Sequence, residues 1–205
     1  MEALRRYTNL AAVLHLLREM RITLLPPDTW DDLNDRRLLE AYRVKKGYES
    51  LLCLCFAQST ETYHHWKVFA PGTDGVCIVF DKQRLLETLA ASDARHGEVK
   101  YYTVTELSAQ EPGLDQLPFA KRAAYEPEAE IRVLWSSTTE KIRFKNFDFP
   151  IGAIDRLIIN PWLPKALAES VKETIRSTPN CSHLEILQST VTDGPAWKRL
   201  ADRYA

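Results

Sequence analysis

The 205-residue sequence is poor in the residues that build the commonest reactive sites. It has four cysteines and five histidines. Cys53 and Cys55 lie in the apolar run Leu51-Leu52-Cys53-Leu54-Cys55-Phe56 and read as small core residues of a buried strand. A C-x-C pair with no second pair and no histidine at finger spacing excludes a zinc template. His64 and His65 are adjacent and point apart on either a helix or a strand, so no metal site is expected. Seven glycines are spread thinly, and no strand runs through a glycine-rich turn into a helix. That excludes the P-loop and the dinucleotide fingerprint, and no G-x-S-x-G elbow occurs. No apolar run is long enough for a membrane span, and Met1-Glu2-Ala3-Leu4-Arg5-Arg6 lacks a signal-peptide core, so a cytoplasmic protein is expected. The net charge of -1 supplies no general pull on nucleic acid, and such a contact would need a local patch.

What remains is an ordinary globular composition, 45% apolar and 27% charged. Leu10, Val13, Leu14 and Leu17 recur at helical spacing after Thr8 or Asn9 as a cap. Short apolar strands are expected at 22–25, 51–57, 76–80, 154–159 and 184–187, and another at 97–102. Helices are expected at 63–69, from Asp81 through Leu89, and from Pro164 through Leu167, Val171 and Ile175. Trp197, Leu200, Ala201 and Tyr204 outline a last one. The acidic stretch from Asp28 to Asp35 reads as a solvated loop anchored by Trp30, with charged helix-compatible sequence following to Lys46. The sum is one α+β domain spanning 1–205, with seven to nine strands in mixed, mostly antiparallel sheet and helices interspersed.

One stretch stands apart: Tyr125-Glu126-Pro127-Glu128-Ala129-Glu130-Ile131-Arg132-Val133-Leu134-Trp135. As a strand, its period of two puts Glu126, Glu128, Glu130 and Arg132 on one face. Three like charges on one strand face repel, so their concentration suits a site where a carboxylate meets developing positive charge. It suits equally an exposed face neutralised by Arg132 and nearby lysines. Residues 142–149 alternate weakly and are expected to pair with this strand as a hairpin.

Several blocks together carry a resemblance. Arg6-Tyr7-Thr8, Leu25 to Asp32, Leu52 to Phe56, Trp66, Gly75 to Asp81, Lys121, Tyr125 and Glu128 to Arg132 resemble, in that order, the bacterial DUF2971 family, which has no assigned function. Asp31 and Leu33 depart from it where the family more often has Asn and Pro around the aspartate. A second resemblance is to the ADP-ribosyltransferase layout: an early basic residue, a helix and a late strand bearing Glu-x-Glu. It implies NAD as substrate, Arg6 gripping it, Glu130 as the catalytic glutamate and Glu128 as the acceptor-activating one. Tyr7 or Trp66 would stack on a ring, with Thr8 and Arg132 in the same binding set. The middle Ser-Thr-Ser element of that superfamily's arginine-modifying branch has only Ser59-Thr60 as a loose counterpart. The acceptor implied is a protein or a nucleic acid, in a toxin or phage-defence setting. Two other readings stand beside this one: a non-catalytic module using a Glu128/Glu130 face, and a magnesium-dependent nuclease using the same acids with Asp31 and Asp32.

Overall fold

A computed structural model describes residues 2–204. In chain order the first elements are β1 (Ala3–Asn9), α1 (Leu10–Glu19), β2 (Arg21–Leu24), α2 (Leu33–Lys45), β3 (Ser50–Ala57) and α3 (Tyr63–Phe69). Then come β4 (Gly75–Asp81), α4 (Lys82–Ala90), β5 (Arg95–Glu98), β6 (Lys100–Tyr102), α5 (Val104–Ala109) and β7 (Ala120–Arg122). The last are β8 (Glu130–Ser137), β9 (Lys145–Asp148), β10 (Ile154–Ile159), α6 (Lys165–Arg176), β11 (Glu185–Gln188) and α7 (Pro195–Ala201). The expected α+β class holds: five of the seven pairings described below are antiparallel. The chain forms two compact units, residues 1–20, 60–82 and 150–205 in one and 21–59 and 83–149 in the other.

In the first unit the strand order is β11-β10-β4-β1. β4 is antiparallel to β1 and β10, and β10 runs parallel to β11. Every residue from Gly75 to Phe80 is buried, which is why Val76 to Phe80 reads as a continuous apolar run rather than an alternating one. Asn9 caps α1, its side chain accepting from the Ala12 amide at 2.8 Å. On one sheet face Cys77, Val79 and Ile158 pack with Trp66 and Ala70 of the α3 region, and Tyr7 and Trp162 border them. The final helix forms where expected, and its Trp197 and Leu200, with Tyr204 beyond it, are exposed, so their spacing marks an outward face. In α6 the buried positions are Ala168 and Ile175, while Leu167 is exposed.

The second unit holds β3-β8-β5 as an antiparallel set, a β2-β9 ladder and a parallel β6-β7 pair. β9 therefore pairs with β2, from Arg21 opposite Asp148 to Leu24 opposite Lys145, and not with β8 as a hairpin. The strand expected at 97–102 is split at Val99, whose amide bonds the Glu130 carbonyl at 2.9 Å. The acidic loop is shorter than expected. Asp32 caps α2, accepting from the Asn34 amide at 2.9 Å, and Asp35 already lies in the first turn, buried. Leu39 and Tyr42 share its face by helical spacing and pack with Leu51, Cys53 and Leu134.

That packing sets the rotation of α2 and with it the direction of Asp35. Leu39→Ala is expected to cost about 2–5 kcal/mol, as for other buried leucine truncations. Urea denaturation checks it, and a loss under about 1 kcal/mol would show that α2 is held otherwise.

Candidate active site: an ion cluster buried against strand eight

The acidic stretch is not one strand. Residues Ala123–Glu128 form a 3-10 helix, Ala129 turns in the left-handed region at φ 43°, and the strand begins at Glu130. Pro127 removes an amide that a strand ladder would need. Glu126 and Glu128 thus leave the strand face, and the expected row of three alternating acids does not form. Glu130 and Arg132 stay in register, opposite Ala57 and Cys55 of β3. They share their face with Leu134 by period two, which directs them toward α2.

Arg132 is fully buried. Its Nη1 and Nη2 donate to Asp35 Oδ1 and Oδ2 at 2.8 and 2.6 Å, a bidentate pair. Nη1 also donates to the Pro118 carbonyl at 2.9 Å, and Nε donates to Glu130 Oε1 at 2.7 Å. The guanidinium carbon sits 5.1 Å from the Trp30 ring centroid, within cation–π range. Glu130, 3% exposed, gives its other oxygen to Lys121 Nζ at 3.0 Å. Lys121 in turn donates to Glu128 Oε2 at 2.6 Å and lies 4.7 Å from the Tyr125 ring centroid. The Lys121 and Glu128 side chains, 10% and 17% exposed, form the outer edge of the cluster. The Tyr101 hydroxyl accepts the Glu130 amide at 2.8 Å.

Counted as ionised, three carboxylates face two cations here, one negative charge in excess. Burial pushes all three carboxyls up, and it wins at Asp35 and Glu128 despite their cationic neighbours. At Glu130 burial is overcome by the charges of Arg132 and Lys121, with hydrogen bonds from Arg132 and Cys55, and the group is held at about 2 instead of 4.5. The cations answer in kind. Burial would lower Arg132 and Lys121, yet the carboxylates raise both. Burial keeps the Cys55 thiol well up and takes the Tyr101 hydroxyl to about 12. The site therefore contains a carboxylate that is ionised at every physiological pH in a largely water-free setting.

The other expected residues fall as follows. Glu128, Glu130 and Arg132 are brought together, but Arg132 cannot serve as a cofactor grip, since it is wholly enclosed and spends its donors on Asp35, Glu130 and Pro118. Arg6, Tyr7 and Thr8 belong to β1, where alternation sends Arg6 and Thr8 to one face and Tyr7 to the other. Trp66 is fully buried, donates from Nε1 to Glu61 at 2.6 Å and meets Tyr7 edge-on with ring centroids 5.2 Å apart. It is core and offers no free face for stacking. An exposed acidic strand face for docking is not present, because Glu130 is buried. Among the described residues no three His, Cys, Asp or Glu side chains gather as metal ligands.

Asp35 and Lys121 were not singled out by the pattern of acids. Asp35 had a usable signal: it precedes Leu39 and Tyr42 at i+4 and i+7, which puts an acid on a buried helix face. A groove of about 1190 Å³ also lies in this unit. Its lining includes Arg36, Arg37, Arg43, Lys141 and Arg143, against Asp28, Glu40 and Glu49.

No family model matches the chain, and no curated protein matches it. Among solved structures, the chain is similar to Thermus sp. 2.9 DarT in complex with NAD+, with a TM-score of 0.47, 10% identity, and 92% of this chain and 95% of that chain covered. The complex of the same protein with ADP-ribosylated ssDNA gives 0.48, 10%, 92% and 94%. Its complex with carba-NAD+ gives 0.46, 9%, 92% and 95%.

The depressed Glu130 value fixes a pH signature. A carboxyl lowered on folding adds stability above its ordinary value, and that contribution is lost as pH falls from 4.5 to about 2. Asp35 and Glu128, raised on folding, act with the opposite sign, and burial, the larger cause at both, is common to wild type and Glu130→Gln, the Glu130 charge being a smaller one. The stability difference between the two proteins should therefore shrink by about 3 kcal/mol on acidification across that window. Urea unfolding at each pH measures it, and a constant difference would contradict the assignment.

Proposed function

We propose that the protein is an ADP-ribosyltransferase-like enzyme that cleaves NAD at the nicotinamide–ribose bond, with Glu130 as the carboxylate at the reacting ribose. One observation carries the reading: a buried cluster with one negative charge in excess, whose central carboxylate is kept ionised. Breaking that bond develops oxocarbenium charge, and a fixed, desolvated carboxylate stabilises it more than it stabilises the neutral ribose of the ground state. The Glu-x-Glu spacing ending in Glu130, read as the ADP-ribosyltransferase layout, supports the same reading.

Lys121 has a place in it. Its ammonium lies 3.0 Å from Glu130 Oε2, at the edge of the cluster. It marks where positive charge is favoured. In the reading, the ribose approaches Oε2 as Lys121 turns toward Glu128, which already accepts from it at 2.6 Å. Glu128 then has the acceptor-activating role, its carboxyl raised by burial against the pull of Lys121.

For the acceptor, the cationic surplus of the α2 groove favours an anionic partner, and we take a nucleic acid over a protein. Arg36 and Arg37, exchanged together for alanine, should then weaken binding of single-stranded DNA and flatten its salt dependence. Unchanged affinity in filter binding would turn the reading toward a protein acceptor.

The activity itself is tested by incubating the protein with NAD and measuring released nicotinamide. Wild type should release it, and Glu130→Gln, with an unchanged circular-dichroism spectrum, should be slower by at least about a hundredfold. Equal turnover in both proteins would remove Glu130 from the chemistry.

A further inference from the structure

Asp35 and Glu130 accept from the same guanidinium, that of Arg132. The guanidinium of Arg132 is planar, and its N–H groups point in fixed directions. Its Nη1/Nη2 edge is gripped by the two oxygens of Asp35 at 2.8 and 2.6 Å, and Nη1 is tied further to the Pro118 carbonyl at 2.9 Å. With that edge fixed, Nε has one direction left, and Glu130 Oε1 lies along it at 2.7 Å. We propose that Asp35 is a positioning residue: by fixing the Arg132 fork it orients the Glu130 carboxylate and leaves Oε2 as the oxygen presented to the substrate. This rests on the reading of Glu130 as the reacting carboxylate.

The placement of Asp35 has three supports. It occupies the first turn of α2, where the helix dipole favours an anion. Leu39 and Tyr42 lock the rotation of the helix through their packing on Leu51, Cys53 and Leu134. Trp30, bordering the same packed group, faces the guanidinium at 5.1 Å. A simpler role for Asp35, balancing the buried charge of Arg132 without directing it, makes the opposite prediction for Glu130.

The groups around Glu130 are Arg132 beside it on β8, Cys55 on β3, Lys121 on β7, Glu128 at the end of the 3-10 helix, Tyr101 on β6 and Asp35 on α2. Asp35→Asn removes one negative charge from this set. If Asp35 only balanced charge, its loss would leave the cations less opposed and lower Glu130 further. If Asp35 positions Arg132, the guanidinium loosens, the Nε contact weakens, and Glu130 rises from about 2 toward 4.5. The two roles differ in sign.

The experiment is a carbon-13 NMR titration of Glu130 in wild type and Asp35→Asn, paired with nicotinamide release. The expected result is an upward shift of the Glu130 midpoint in the variant. The kcat should fall by about tenfold to a hundredfold, while KM for NAD stays within about twofold, because the variant loses the orientation of the carboxylate and no contact of its own with NAD. An unchanged or lowered midpoint overturns the positioning role. A wild type that releases no nicotinamide overturns the proposed activity instead, and the titration still decides the role of Asp35. If Asp35→Asn does not fold, Arg132→Lys keeps the charge and removes the fork, and the same upward shift is expected. In wild type alone, the Arg132 Nε proton should exchange slowly with solvent; fast exchange would overturn the proposal without any variant.

Discussion

The buried guanidinium of Arg132 is the constraint on which the second unit depends. A full charge taken out of water is costly unless its geometry and hydrogen bonding are nearly complete. Here an α-helix, a strand and the carbonyl of a short 3-10 helix meet that demand together: Asp35 from α2, Glu130 from β8 and Pro118 from residues Leu114–Phe119. These contacts join positions almost a hundred residues apart in the chain. Such a network adds little net stability compared with a well-packed apolar core, but it is severe on any arrangement that leaves one member unpaired. Such a network fits a site in which the orientation of Glu130 matters more than the energy.

The same arithmetic explains why the cluster suits chemistry on a cationic centre. A carboxylate in water is screened and free to turn. Glu130 is neither, because both its oxygens are engaged and its surroundings exclude solvent. The excess negative charge rests at the edge where Lys121 and Glu128 meet. A positive centre arriving there replaces a tethered ammonium and needs little reorganisation of the rest, which is the condition under which fixed charges are most effective. In the proposed reaction, stability and function would make opposite demands on Lys121: it balances the resting cluster and would have to yield to substrate.

Much of this was legible in the sequence, for physical reasons that can be named. Continuous apolar runs such as Val76 to Phe80 identify buried strands because both faces are covered. The Glu130–Arg132 pair was visible as a charge anomaly. What period two could not show was that Pro127 and the left-handed turn at Ala129 end the strand pattern one residue before Glu130. The partner of Arg132 was harder still: the acids from Asp28 to Asp35 look like a solvated turn, and only the helical offset from Asp35 to Leu39 and Tyr42 separates the one that is buried. Trp66 and α7 illustrate the limit of composition. A tryptophan near a charged segment is more often core than platform, and an i, i+3, i+7 stripe does not say whether anything covers it.

The central claim is that the Arg132-held carboxylate of Glu130 is the group that faces the reacting ribose. A crystal structure with a non-hydrolysable NAD analogue bound tests it most directly. The account requires the nicotinamide ribose within hydrogen-bond reach of Glu130 Oε2, about 3 Å, with Lys121 moved away from that oxygen and the Asp35–Arg132–Glu130 contacts intact. An analogue bound elsewhere, with Lys121 still on Glu130, would contradict it.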